Sequence, residues 1–291
     1  MNFQLTEEQE LIQKTAREFS DAELVPGAIK RDENKIWPRE AINKMAEMGF
    51  MGMMVGSEWN GGGMDTISYT IAMEEISRAD ASAGVIMSVN NSLVCNLLEK
   101  YSGETVKETY LKPLASGNKL GAFSLSEPQS GSDASNMITR AKNKGDYYII
   151  NGIKNWVTNG IHADYVLVFA ITKQGIGHKG ISCFIVEKGW DGFKSGKPEN
   201  KLGIRSSDTC ELYFDNVKVP AENLIGKEGE GFKIALATLD GGRIGIASQA
   251  LGIAQASLNA SIAYSKDRVQ FGKPISENQA IQYKIADMAM E

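Results

Sequence analysis

The sequence predicts an α+β protein whose chain is helical, then rich in β-strands, then helical again. Apolar residues recur at helical spacing up to residue 119, short β-type runs with turn residues between them follow, and a long apolar helical stretch comes last. We therefore predict an N-terminal all-α domain (1–119), a middle antiparallel β domain (120–230) and a C-terminal α-helical bundle (231–291) that is incomplete in this sequence.

The first helix is predicted from a capping box. In Thr6-Glu7-Glu8-Gln9 the Thr and Gln side chains can each accept a hydrogen bond from a backbone N–H of the first helical turn. The apolar residues Leu11, Ile12, Ala16 and Phe19 then lie on one face. Further helices are predicted at 38–48, 66–78, 82–100 and 103–115.

Five short runs in the middle region have the composition of strands. They cover residues 122–126, 147–150, 165–171, 181–187 and 209–217. The turn pairs Gly145-Asp146, Asn151-Gly152 and Asn159-Gly160 lie between runs, at the spacing expected of a compact antiparallel sheet or barrel.

Two helices are predicted in the last region. Residues 231–266 are apolar and contain several glycines, which indicates a helix packed closely among its neighbours. Ser276-Glu277-Asn278-Gln279 has the form of a second capping box, so another helix should begin there. No helix-ending residue follows before Glu291, and we expect the sequence to be part of a longer protein.

Composition excludes several classes of function. A net charge of −5 without a basic block argues against a nucleic-acid surface. The three cysteines are far apart, and with two histidines no disulfide framework or His-rich metal site is predicted. No apolar run approaches the roughly 20 residues of a membrane span, and the N-terminus lacks the pattern of a signal peptide. We expect a cytoplasmic protein without membrane insertion.

A polar turn after the first strand is a candidate ligand site. Residues 122–133 run from that strand into the turn. They contain hydroxyls at Ser126, Ser130 and Ser132, and Gly131 would allow a ligand to approach the backbone. A purely structural turn is the alternative interpretation.

Two further pairs of residues have chemistry suited to a ligand. Trp156 and Thr158 lie two apart on one predicted strand face, where a flat ligand could stack, although a Trp in the core is the alternative. Asp240 and Arg243 lie three apart on a helix and either contact a ligand or form an internal ion pair. Arg268, at the end of that helix, could bind a phosphate or merely complement the helix dipole.

Together, these segments resemble the acyl-CoA dehydrogenases over the full length of the chain, most closely the short-chain, butyryl-CoA type. The resemblance is carried by Leu5-Thr6-Glu7-Glu8-Gln9, Met64-Asp65, Ser126-Glu127-Pro128, Gly131-Ser132-Asp133, Trp156-Val157-Thr158-Asn159-Gly160, Leu239-Asp240-Gly241-Gly242-Arg243, and Arg268 with Gln270-Phe271-Gly272.

The resemblance implies that the protein binds FAD. The residues it places at the flavin are Phe123, Leu125, Ser126, Gly131, Ser132, Trp156, Val157 and Thr158. It also implies that Arg268, Phe271 and Gln279 bind the ADP part of an FAD held mainly by a neighbouring subunit, and therefore an oligomer, usually a tetramer.

The reaction that the resemblance implies is α,β-dehydrogenation of an acyl-CoA thioester to the trans-2-enoyl-CoA. The residues it assigns to the substrate are Ser132, Asp240, Gly241, Gly242 and Arg243. A carboxylate removes the α-proton while the β-hydrogen leaves as hydride to the flavin, and an electron-transfer flavoprotein reoxidises the cofactor.

The catalytic base is not assigned within the sequence. Most members of the family carry a Glu in a region that would lie beyond Glu291, and the alternative position is Gly242, which has no carboxylate. We therefore expect the 291-residue chain alone to be inactive, and we predict no metal. Two alternatives stay open: a flavin-dependent oxidase or monooxygenase on the same scaffold, and a non-catalytic flavin-binding fragment.

Overall fold

The computed structural model describes residues 4–291 and confirms the α+β class, with helices before and after a β-sheet. The helices that precede the sheet are α1 (Glu7–Phe19), α2 (Ala28–Asn34), α3 (Arg39–Glu47), α4 (Thr66–Ala79), α5 (Ala81–Ser88), α6 (Asn96–Tyr101), α7 (Glu104–Val106) and α8 (Lys112–Ala115). The sequence did not predict α2.

The predicted capping box of α1 is confirmed. The Thr6 hydroxyl accepts a hydrogen bond from the Gln9 N–H at 3.2 Å, and the Gln9 side chain accepts one from the Thr6 N–H at 3.1 Å. Asp65 caps α4 in a similar way by accepting from the Ser68 N–H at 2.7 Å. Both caps satisfy N–H groups that a helix's first turn cannot pair internally.

One continuous helix runs from Ala81 to Tyr101, with a π-helical turn at Val89–Cys95 between α5 and α6. Its 21 residues are long and apolar enough to cross a membrane, which corrects the expectation that no such stretch exists. However, 78% of its most apolar window is buried inside the protein, as expected of a core helix. Asn90, at the start of the π-helical turn, donates to the Met51 and Leu114 carbonyls and anchors the helix within the domain.

Within the described residues the sheet contains eight strands in the spatial order β6-β7-β3-β2-β4-β5-β8, with β1 paired to β4. Their bounds are β1 (Gly121–Ser124), β2 (Arg140–Asn143), β3 (Tyr147–Thr158), β4 (Tyr165–Ile171), β5 (Ile181–Glu187), β6 (Phe193–Pro198), β7 (Thr209–Pro220) and β8 (Leu224–Ile225). Most pairings are antiparallel, as predicted, but β1 runs parallel to β4, and β2 meets β4 in parallel through Arg140 and Ile171.

The prediction of a turn at Asn151-Gly152 is wrong, because both residues lie inside β3. The register with β7 shifts there, since Ile150 pairs with Val217 whereas Gly152 pairs with Phe214. β7 therefore carries one extra residue in a bulge. A Cβ on Gly152 would lie 2.3 Å from the Thr139 hydroxyl, so the glycine serves close packing rather than chain reversal.

The last region consists of α9 (Gly231–Asp267), the hairpin strands β9 (Val269–Gln270) and β10 (Lys273–Pro274), and α10 (Gln279–Met290). The close packing predicted for α9 is found on one face only. On that face, a Cβ atom added to Gly252 would lie 2.3 Å from the Glu74 carbonyl oxygen. The opposite face is exposed, including Ile244 and Leu251.

The second predicted capping box is wrong. Asn278, not Ser276, is the residue before α10, and its side chain makes no capping hydrogen bond. Ser276 lies in a 3₁₀ turn (Ile275–Glu277), and the Gln279 side chain donates to the Tyr283 hydroxyl at 2.5 Å instead of reaching back. The sequence pattern therefore marks the right region but not the helix start.

Candidate active site

A cleft of about 420 Å³ lies between the sheet, the π-helical turn of the core helix and the first turns of α9. Its volume is in the range of cofactor and substrate pockets. The residues that line it are Val89, Leu93, Phe123, Leu125, Ser126, Gly131, Ser132, Asp133, Ala134, Ser135, Asn155, Trp156, Thr158, Phe232, Leu236, Leu239 and Arg243. Residues from three of the predicted motifs therefore meet in one place.

The polar turn forms one wall of the cleft. Glu127 and Ser130 exchange two backbone hydrogen bonds of 2.9 and 3.0 Å, which close the turn. The Ser130 hydroxyl is buried and donates to the Asp133 carbonyl at 2.7 Å, so it is structural. Ser126 and Ser132 line the cleft, and the structural alternative therefore holds for only one of the three serines.

Trp156 and Thr158 both line the cleft, but not through regular alternation along a strand. Lys154 pairs with Leu212 and Val157 with Cys210, so β3 carries an extra residue. In this bulge, Trp156 has a φ of 59° and its side chain is 61% exposed, whereas Val157 is buried. The bulge presents a large indole ring at a cleft instead of in the core, which corrects the expectation of a regular strand face.

A buried ion pair that the sequence analysis did not identify lies behind the polar turn. Lys154 Nζ is 2.9 Å from Glu127 Oε1, and both side chains are fully buried. Burial lowers the pKa of Lys154 to about 8, against the opposing effect of Glu127. Burial alone would raise the pKa of Glu127, but Lys154 and hydrogen bonds from Thr139 and Ile138 hold it below its usual range. The signal in the sequence was a lysine two residues before Trp156, in the segment predicted to be an extended strand.

The predicted substrate residues occupy different environments. Arg243 lines the cleft and forms an exposed ion pair with Asp240, which does not line it. Gly242 is buried, and a Cβ on it would lie 2.7 Å from the Leu93 side chain, whereas one on Gly241 would be no closer than 3.6 Å to another group. Gly242 therefore allows α9 to approach a residue that lines the cleft.

Arg268, Phe271 and Gln279 are not brought to the cleft. Arg268 lies 25 residues beyond Arg243 in sequence, which at 1.5 Å per residue corresponds to about 37 Å along α9. All three are exposed, and Phe271 stands at the tip of the β9–β10 hairpin with a φ of 54° and a fully accessible ring. Within residues 4–291 the Arg268 side chain has no hydrogen-bond or ion-pair partner.

The sequence analysis did not assign the apolar residues that the helices contribute to the cleft. They are Val89 and Leu93 from the core helix and Phe232, Leu236 and Leu239 from α9. These residues look like ordinary core positions in the sequence, because only the packing of the two helices shows which apolar side chains stay accessible.

Among the residues that the structure describes, no group of three or more His, Cys, Asp or Glu side chains is arranged to hold a metal ion. The three cysteines are free and buried, and burial raises the pKa of each thiol. They are therefore core residues rather than ligands or nucleophiles.

Three domain families match the chain. The acyl-CoA dehydrogenase N-terminal domain matches residues 6–118, the middle domain matches 122–217 and the C-terminal domain matches 229–291. The chain therefore belongs to the acyl-CoA dehydrogenase family, a family of FAD-dependent oxidoreductases, as the sequence resemblance predicts.

Individual proteins of the family are similar to most of the chain. The short-chain specific acyl-CoA dehydrogenase of Clostridium acetobutylicum is 49% identical over 288 residues, which cover 99% of this chain and 76% of that protein. Butyryl-CoA dehydrogenase from Megasphaera elsdenii is 46% identical with a TM-score of 0.97, covering 100% of this chain and 77% of that one. A chain in the structure of the electron transferring flavoprotein of Acidaminococcus fermentans is 50% identical with a TM-score of 0.98. The match covers 100% of this chain and 76% of that one.

The residues of the cleft fit FAD. The exposed Trp156 ring provides a surface on which a flat ring system can stack. Ser126, Ser132 and Thr158 contribute polar residues to the lining. Arg243, which belongs to α9, adds a positive charge to the lining.

Proposed function

We propose that this protein catalyses α,β-dehydrogenation of a short-chain acyl-CoA with FAD as the hydride acceptor. The observation that carries the proposal is that the polar turn, the Trp156 bulge and Arg243 line a single cleft. The names of the relatives in Clostridium acetobutylicum and Megasphaera elsdenii support a short acyl chain.

Each cofactor residue then has a distinct role. Trp156 stacks against the flavin ring, Thr158 lies at its reacting edge, and the backbone of Ser126 pairs with its polar edge. Phe123, Leu125 and Gly131 complete the wall, and Val157 holds the bulge from the buried side. When bound, FAD takes up the hydride that leaves the β-carbon.

The substrate is proposed to bind between the polar turn and α9. Ser132 is placed between cofactor and thioester, and Arg243 reaches the CoA moiety as a charge-assisted donor. Asp240 orients Arg243 through their ion pair. Gly241 and Gly242 have no side chains and so leave space for the substrate beside this part of α9. The acyl group lies against the apolar residues of the cleft.

The ADP part of FAD is proposed to bind Arg268, Phe271 and Gln279 of a neighbouring subunit in a homotetramer. Their distance from the cleft along α9 and the fully exposed Phe271 ring support this arrangement. An electron-transfer flavoprotein is the proposed electron acceptor, since a similar chain occurs in the structure of such a protein. Three free thiols favour a cytoplasmic location.

The experiment is reconstitution of the full-length holoenzyme with FAD, followed by turnover of butyryl-CoA with an artificial electron acceptor. The 291-residue chain, for which we expect no activity, is assayed beside it. We expect a flavin spectrum and a higher kcat/KM for butyryl-CoA than for octanoyl-CoA. Trp156→Ala should reduce flavin retention, with Trp190→Ala, a tryptophan outside the cleft, as the control. A protein that takes up no FAD would contradict the proposal.

Asp133 deserves a separate test, because it is the one carboxylate among the described residues that line the cleft. Its side chain accepts a hydrogen bond from Ser135 at 2.9 Å, which indicates a role in the turn. We expect Asp133→Asn to retain most of the turnover, since the base is proposed to lie elsewhere. A loss of several orders of magnitude at unchanged flavin content would identify Asp133 as the base.

A further inference from the structure

The buried pair of Lys154 and Glu127 lies directly behind the polar turn of the cleft. Besides its 2.9 Å contact with Glu127, Lys154 Nζ donates to the Leu125 carbonyl oxygen at 3.0 Å. Removing two charges from water is costly, and a buried ion pair is often no more stabilising than apolar residues of similar size. Stability alone therefore gives no reason for two charges to be buried at this position.

The peptide bond between Leu125 and Ser126 connects the pair to the cleft. This bond is trans, so its C=O and N–H point in opposite directions. The C=O points towards the buried Lys154, so the Ser126 N–H points away from it, and Ser126 is one of the residues that line the cleft. Within residues 4–291 the Ser126 N–H has no protein acceptor, which leaves it available to a ligand.

Glu127 holds the turn in this orientation. It accepts hydrogen bonds from the Ile138 N–H at 2.6 Å, the Thr139 N–H at 3.0 Å and the Gln129 side chain at 2.8 Å. The Ser126 carbonyl also accepts from the Asn155 N–H at 2.9 Å, which fixes the same peptide to β3. The carboxylate thus connects the polar turn to residues 138 and 139. It also raises the pKa of Lys154, which favours the charged form of the lysine.

We propose that Lys154 is a positioning residue for the flavin, acting through the Leu125–Ser126 peptide and held in place by Glu127. An ammonium on the carbonyl side polarises a peptide and strengthens its N–H as a donor. A stronger donor at the polar edge of the flavin favours the reduced, more electron-rich ring over the oxidised one. This inference rests on the proposed function, because it requires FAD in the cleft.

The test is the reduction potential of the FAD-reconstituted holoenzyme. Lys154→Met should weaken binding of reduced FAD about tenfold more than binding of oxidised FAD, which for a two-electron couple lowers the potential by about 30 mV. The double variant Lys154→Met with Glu127→Gln avoids an unpaired buried carboxylate and should show the same shift.

The control is Arg31→Met with Asp80→Asn, which removes a second largely buried ion pair (2.8 Å) away from the cleft. It should leave the potential unchanged. A double variant of Lys154 and Glu127 that folds but no longer retains FAD would also support the positioning role.

Two results would overturn the inference. One is an unchanged potential in the double variant with FAD bound, and the other is unfolding of the double variant where the control stays folded, because the pair would then serve stability alone. Failure of the unmodified protein to bind FAD would instead contradict the proposed function, and it would be seen before any variant is made.

Discussion

Gly245 of α9 lies so close to Tyr69 of α4 that a methyl group on the glycine would come within 2.6 Å of the tyrosine hydroxyl oxygen. Tyr69 is buried, and its hydroxyl contacts Ser88 of α5 at 3.2 Å. Three helices therefore meet at this point. The contact fixes the position of α9 relative to α4 and α5. It thereby places Arg243, two residues before Gly245, at the cleft.

The first prediction follows from this contact. Gly245→Ala should lower the free energy of unfolding by about 1–3 kcal/mol, because the added methyl group must displace Tyr69 or shift α9. Gly241→Ala is the control, since its Cβ would be no closer than 3.6 Å to a neighbour; it should stabilise the helix by about 1 kcal/mol. Urea denaturation measures both. Equal effects at the two positions would show that the packing at Gly245 is not tight.

The second prediction separates the two members of the α9 ion pair. Arg243→Ala should raise the KM for butyryl-CoA roughly tenfold or more, because a charge-assisted hydrogen bond contributes about 1.5–3 kcal/mol. Asp240→Ala should raise it less, since Asp240 does not line the cleft. Neither change should alter stability much, as the pair is exposed. A larger effect of Asp240→Ala on KM would assign the substrate contact to the carboxylate.

The third prediction concerns how the free energy of unfolding changes at acidic pH. The pKa of Glu127 is lowered in the folded state, so the unfolded chain binds more protons between the two pKa values. The stabilisation by Glu127 is present above its ordinary pKa and is lost as the pH falls through the lowered one. Glu127→Gln should therefore show a shallower decline in unfolding free energy between about pH 5 and pH 3. Urea titrations at each pH give the slopes, and identical slopes would contradict the assignment.

The fourth prediction concerns the hairpin that follows α9. Arg268→Ala should weaken FAD retention and loosen the oligomer together, since the proposed phosphate contact crosses between subunits and contributes about 1.5–3 kcal/mol. Lys266→Ala is the control, because it removes an exposed positive charge from the end of the same helix. FAD titration and sedimentation measure the two effects. If both variants behave alike, Arg268 only complements the helix end.

Local sequence patterns correctly predicted several elements of the structure. β4 and β5 occupy the predicted residues, and the Thr6 capping box forms as expected, because alternation and capping depend on neighbours in the sequence. The errors occur where distant contacts override a local signal. Asn151-Gly152 has the form of a turn but continues β3, since Thr139 packs directly against the glycine.

By itself the sequence determined the α+β class, the polar turn, the family resemblance and, through it, the cofactor and the type of reaction. Only the tertiary structure decided which of these residues meet. It placed Trp156 at the cleft through a bulge in β3 and paired Lys154 with Glu127 across 27 positions of sequence. Strand register and burial depend on contacts between residues far apart in the chain, which no local pattern records.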